Sequence, residues 1–117
     1  MKLYGIKNCD SVRKAVKFLN SAEVNFEFVD ITSEEVECQT IERWLKHVGI
    51  DRLFNAKSAT YRKLGLKNLE LDEAAKKEWL CRERKLIKRP VLEVDNRVVA
   101  GFDEKIYKEI LDGQHST

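Results

Sequence analysis

The chain is poor in the residues that would mark many alternative classes. One proline and five glycines in 117 residues leave no Pro/Gly-rich linker, and no repeat or low-complexity segment is present. The only two histidines, His47 and His115, pair with no cysteine or acid at ligand spacing, so no metal site is expected. No apolar run approaches the roughly 18 residues needed to span a bilayer. Met1–Lys7 is too short and too interrupted for a secretory segment. A cytoplasmic protein without a membrane partner is therefore expected. Charge of one sign is also lacking: 22 Lys and Arg against 20 Asp and Glu give a net +2, which does not call for nucleic acid. Three cysteines, Cys9, Cys38 and Cys81, make an odd count, and in a reducing compartment no structural disulfide framework is expected.

What is present fits a folded domain, with 43% hydrophobic and 36% charged residues. We expect one domain over residues 1–112 and a frayed tail over 113–117. Residues 2–6 read as a short strand, followed by the loop Lys7-Asn8-Cys9. Val12, Ala15, Val16 and Leu19 then mark one face of a helix from about residue 10 to 21. Val24, Phe26 and Phe28 alternate with polar residues as a second strand, parallel to the first across the helix. Ile41, Trp44, Leu45 and Val48 predict a helix ending near Gly49; a short helical turn follows at 50–54, and another helix starts near Asp72 and ends near Cys81–Arg82. Val91–Val94 and Val98–Ala100 flank Asp95-Asn96-Arg97 as an antiparallel hairpin. Phe102, Ile106 and Ile110 close the chain with a helix capped by Asp103. The order predicts an α/β fold: a mixed four-stranded sheet with flanking helices and a helical insertion in the middle.

Cys9 lies where the first strand turns into the first helix. Unpaired N–H groups and the helix dipole favour an anion there; Lys7, Arg13 and Lys14 add positive charge, and Asp10 opposes it. Such surroundings make a cysteine a reactive thiolate. Position alone leaves open an ordinary loop cysteine.

Three segments carry a family resemblance. Tyr4-Gly5-Ile6-Lys7-Asn8-Cys9-Asp10-Ser11-Val12-Arg13-Lys14-Ala15 resembles the opening of YffB-like members of the arsenate reductase/Spx/YffB-like (ArsC) family. Asn55-Ala56-Lys57-Ser58-Ala59-Thr60-Tyr61-Arg62-Lys63-Leu64-Gly65-Leu66 resembles the family's central segment. Lys88-Arg89-Pro90-Val91-Leu92, with Val99-Ala100-Gly101-Phe102-Asp103-Glu104, resembles its C-terminal signature. The resemblance implies a thioredoxin-like fold, Cys9 as nucleophile, and Arg89 facing the thiol beside a cis peptide bond at Pro90. It also implies glutathione as co-substrate, with Asn8, Lys57 and Pro90 helping to bind it or another small thiol or disulfide. Arg offers a planar fork of donors for an oxyanion or a glutathione carboxylate.

Departures from the relatives narrow the expectation. Arsenate-reducing members place three arginines about the cysteine; here Arg89 is retained, Asn55 stands at the first position with Lys57 nearby, and the last falls near Ala100-Gly101. Spx-like regulators, which bind RNA polymerase, often carry Cys-x-x-Cys, where this chain has Val12. A glutathione-dependent thiol reductase using one cysteine is therefore the first expectation. A glutaredoxin-coupled arsenate reductase and a redox-responsive regulator that binds RNA polymerase are the alternatives. Cys38, beside acidic residues, reads as incidental; Cys81, at a helix end, reads as a packing residue, with a resolving role left open. The basic run from Arg82 to Arg89 reads as a solvated helix end.

Overall fold

The computed structural model describes residues 1–33, 36–95 and 97–115, with side chains described to Asp112. Four strands form one sheet in the order β2-β1-β3-β4: β1 Lys2–Gly5, β2 Glu27–Asp30, β3 Val91–Val94 and β4 Arg97–Ala100. β1 runs parallel to β2 and antiparallel to β3, and β3 pairs with β4 as a hairpin. The helices are α1 Asp10–Ser21, α2 Cys38–Leu45, α3 Ile50–Leu53, α4 Ala59–Lys63, α5 Glu73–Arg82 and α6 Glu104–His115. This is the mixed sheet with a helical insertion that the order of elements predicts, and the thioredoxin-like fold that the family resemblance implies.

Strand alternation sends neighbouring side chains to opposite faces, and both faces of the central strands are covered. Leu3, Leu92 and Val94 pack under α1 and α6 with Ala15, Leu19, Tyr107 and Ile110. Tyr4, Val29 and Val91 pack on the other side against Ile41 and Trp44 of α2, Leu53, Leu66, Leu80 and Leu86. The Tyr4 and Trp44 rings meet edge-on with centroids 4.8 Å apart. Glu93 shares a face with Val91, and its carboxylate accepts from Trp44 Nε1 at 2.8 Å and Arg43 Nη2 at 2.7 Å. Burial alone pushes the Glu93 carboxyl up, but these two hydrogen bonds and the nearby cations outweigh it and hold the group below the usual carboxylate range.

Helix starts follow the side chains that cap them. Ser58 Oγ accepts from Tyr61 N, Asp72 Oδ1 from Ala75 N, and Asp103 Oδ1 from Lys105 N and Ile106 N.

Several expectations need correction. β2 begins at Glu27 rather than Val24, because residues 22–24 finish α1: Ala22 N donates to Phe18 O, Val24 N to Leu19 O, and Glu23 is left-handed at φ 57°. α6 runs from Glu104 to His115; residues 116–117 of the expected tail, and Asn96 of the expected turn, lie outside the described residues. The largest correction concerns the cysteines: Cys38 and Cys81 form a disulfide, with Cα atoms 5.0 Å apart. Cys38 is therefore not incidental and Cys81 does more than pack. α2 and α5 lie side by side, a relation that spacing in the chain does not reveal.

Candidate functional site

The candidate site lies where β1 ends and β3 begins. Tyr4 is opposite Val91, so the loop after β1 and the Arg89–Pro90 segment before β3 leave the same end of two adjacent strands. Gly5 allows this end to be tight. A Cβ on Gly5 would stand 2.7 Å from Val12 Cγ2 and 3.0 Å from Cγ1. The first turn of α1 thus packs directly on the β1 backbone, and Val12 is buried.

Cys9 is the N-cap of α1, with extended φ −102° and ψ 128°. Its N–H donates to Ile6 O at 3.2 Å and its carbonyl accepts from Arg13 N at 2.9 Å. Its thiol is free and half-buried, and its side chain accepts no capping hydrogen bond. The amides of the first turn are therefore not satisfied by the N-cap side chain, as they would be under a Ser or Asp cap. Arg13, one of the expected neighbouring cations, is bound to Asp10 at 2.7 Å on the exposed side of that turn. Its charge is largely offset there. Lys7 and Asn8 are exposed in the turn before the cysteine.

The Arg89–Pro90 bond is cis, as the family resemblance implies. The Pro90 carbonyl accepts from Gly101 N at 2.8 Å, and Gly101 adopts φ +83°, a region that favours glycine. One lone pair of that carbonyl is thus committed within the fold. Arg89 Nε is buried and has no hydrogen-bond partner. A buried donor left unpaired costs of the order of 1–3 kcal/mol, and that cost is recovered when an acceptor arrives. Arg89 has no salt bridge among the described residues.

Lys57 lies between α3 and α4. It is exposed, and its backbone N–H donates to Asn55 Oδ1 at 3.1 Å. Its segment is tied to the approach to Arg89 by the Phe54–Ile87 bridge and by hydrogen bonds from Asn55 N to Leu86 O and from Lys88 N to Leu53 O. Its side chain meets neither Cys9 nor Arg89 in any hydrogen bond or ion pair among the described residues. The strand pairing brings Cys9, Asn8, Arg89 and Pro90 to one end of the sheet. Among the described residues no three His, Cys, Asp or Glu side chains cluster as metal ligands. No described helix is long and apolar enough to cross a membrane.

Sequence reasoning misses the Cys38–Cys81 pair. Its two members are 43 residues apart, and only the packing of α2 on α5 brings them together.

Comparison with known proteins identifies the family. An uncharacterised protein of Haemophilus influenzae is 34% identical over 108 residues, covering 91% of this chain and 94% of its own length. The global transcriptional regulator Spx of Enterococcus faecalis is 27% identical over 116 residues, with 95% and 86% covered. Among solved structures, the protein YffB (PA3664) superposes with a TM-score of 0.85 at 34% identity, covering 92% of this chain and 96% of that one. The ArsC family model matches residues 4–110, a span that includes Cys9, Arg89 and Pro90, and the chain belongs to the ArsC family.

Proposed function

We propose that this ArsC-family protein is a glutathione-dependent thiol oxidoreductase in which Cys9 is the nucleophile. The observation that carries this reading is the pairing, at one end of the sheet, of a free thiol at a helix N-cap with a buried, unpartnered guanidinium N–H. The Cys9 thiolate attacks the glutathione sulfur of a mixed disulfide, R–S–S–G. The S–S bond breaks, R–S⁻ leaves and takes a proton, and Cys9 holds glutathione as Cys9–S–S–G. A second glutathione thiolate attacks that adduct, releasing oxidised glutathione and restoring the Cys9 thiolate. The cycle balances as R–S–S–G + GSH → R–SH + G–S–S–G, with the incoming glutathione as the reductant.

Arg89 binds a carboxylate of the tripeptide through its fork of donors. Asn8 and the backbone at Pro90 flank the peptide, and Lys57 contributes long-range attraction rather than contact. Arsenate is a poorer fit. A tetrahedral oxyanion needs several charge-assisted donors, and of Arg89 and Arg13 the second is bound to Asp10.

Mass spectrometry after treatment with oxidised glutathione tests the reading. An adduct of one glutathione on Cys9, absent from Cys9→Ser, is expected. Equal labelling of both proteins overturns it. Following NADPH loss with glutathione reductase and glutaredoxin, with a small disulfide or arsenate offered in turn, separates the substrates: turnover of arsenate alone would replace this reading with arsenate reduction. Retention of RNA polymerase without turnover of either substrate would replace it with a regulator.

A further inference from the structure

The Cys38–Cys81 disulfide is not part of the site described above, and its setting is unlike that of a buried structural bridge. Cys38 is exposed and is the first residue of α2; Cys81 is half-buried, packed against the core at the end of α5. Cys38 is therefore the more accessible of the two residues. The helices it joins are held by other means as well. Ile41 and Trp44 of α2 and Leu80 of α5 are fully buried in one cluster, and Lys77 Nζ meets Glu42 Oε1 at 2.9 Å across the same junction. Breaking the S–S bond leaves these contacts in place.

What the bond restrains is the chain that follows it. Directly after Cys81, Arg82 ends α5, Glu83 accepts from Lys85 N, and residues 84–86 make one 3-10 turn leading to the Ile87 bridge and Arg89.

We propose that Cys38 and Cys81 are a second, reversible thiol–disulfide centre, independent of Cys9, which takes two electrons from a dithiol reductant and is attacked at Cys38. A thiolate of the reductant attacks Cys38 Sγ, the S–S bond breaks, and Cys81 leaves as a thiolate that takes a proton. The second thiol of the reductant then attacks its own sulfur in the mixed disulfide. Cys38 leaves with a proton, and the reductant departs as a cyclic disulfide. In the reverse direction one oxidised glutathione accepts the two electrons, and two glutathiones are released as the bond reforms. The open form stays folded, and the segment from Arg82 to Lys88 loses one of its anchors.

The experiment uses the full chain in a Cys9→Ser background, so that failure here and failure of the proposed Cys9 chemistry remain distinguishable. The protein is titrated with dithiothreitol, quenched by alkylation, and each cysteine is read by mass spectrometry alongside far-UV circular dichroism. Cys38 and Cys81 are expected to become labelled together, at reductant levels that leave the dichroism spectrum unchanged, and to close again with oxidised glutathione. Single variants locate the attacked sulfur. Cys81→Ser and Cys38→Ser are each first converted to the mixed disulfide with glutathione, and thiolate attack on the protein sulfur should be about tenfold faster at Cys38 than at Cys81, because access follows exposure. Hydrogen exchange should quicken in residues 82–88 on reduction. Labelling only in denaturant, loss of the native spectrum on reduction, or failure to reclose with excess oxidised glutathione would overturn the proposal. Equal rates of attack would overturn the assignment of Cys38.

Discussion

At the scale of single residues, two positions make sharp claims. Gly5 has no room for a side chain, because Val12 is β-branched and cannot swing clear. Gly5→Ala should destabilise the protein by about 1–3 kcal/mol, the usual range for overpacking, and chemical denaturation reads this directly. Because the strain falls on the first turn of α1, alkylation of Cys9 should change in rate as well. Arg89→Lys keeps the charge and loses the planar fork. Turnover of a glutathione mixed disulfide should fall about tenfold or more, in line with the loss of a hydrogen bond to a charged group, while the denaturation midpoint barely moves. An unchanged rate would remove Arg89 from the site. These positions differ in how readable they are from sequence. The place of Cys9 between an apolar strand and a periodic helix is legible, but its proposed role, like that of Arg89, comes from the family's motif. The crowding at Gly5 depends on how closely a strand and a helix approach, which no spacing encodes.

At the scale of elements, legibility followed the length of the pattern. α1 and α5 appear in the sequence at nearly their observed bounds, because apolar periodicity runs through one and a capping Asp72 precedes the other. α4, with five residues and no buried side chain, gives no periodic signal, and the two 3-10 turns are shorter still. The hairpin is legible from alternation on both sides of Asp95. β2 is misread at its start because Val24 and Phe26 pack toward α1 without joining the ladder.

The disulfide, invisible from spacing, ties two of these elements. Closing a loop of its 43-residue separation is worth up to about 4 kcal/mol by chain entropy. The Cys38→Ser/Cys81→Ser protein should fold but unfold at a lower denaturant midpoint than the oxidised protein. A midpoint equal to that of the oxidised form would show that the unfolded chain gains nothing from release of the crosslink.

At the scale of the whole molecule, two carboxylates and one phenol set the pH limits of the fold. Glu93 and Asp30 both titrate below their ordinary range, Glu93 against the opposing effect of burial and Asp30 through the hydroxyl and backbone N–H of Thr32. A depressed folded pKa stabilises the native state above the unfolded value and is lost as pH falls through the folded one. Stability should therefore hold through neutral pH and fall as the pH drops through and below the ordinary carboxylate range. Trp44 fluorescence reports it, since Trp44 donates to Glu93. Glu93→Gln should flatten that acid limb; an unchanged limb would mean that Glu93 does not control it.

At the alkaline end Tyr107 is buried with an unpartnered hydroxyl, and burial pushes its phenol up. Stability should fall as pH rises past the ordinary tyrosine range near 10, because only the unfolded chain ionises this group freely. Tyr107→Phe should remove that loss.

The uncapped start of α1 has a consequence for the stability of the chain as a whole. Cys9 occupies a position where serine would accept a backbone N–H, a hydrogen bond worth about 0.5–2 kcal/mol to a helix. Replacing the proposed nucleophile by serine should therefore yield a protein that has lost the proposed chemistry and gained thermal resistance. A higher melting temperature for the inert variant would mark position 9 as one where natural selection has favoured reactivity over durability.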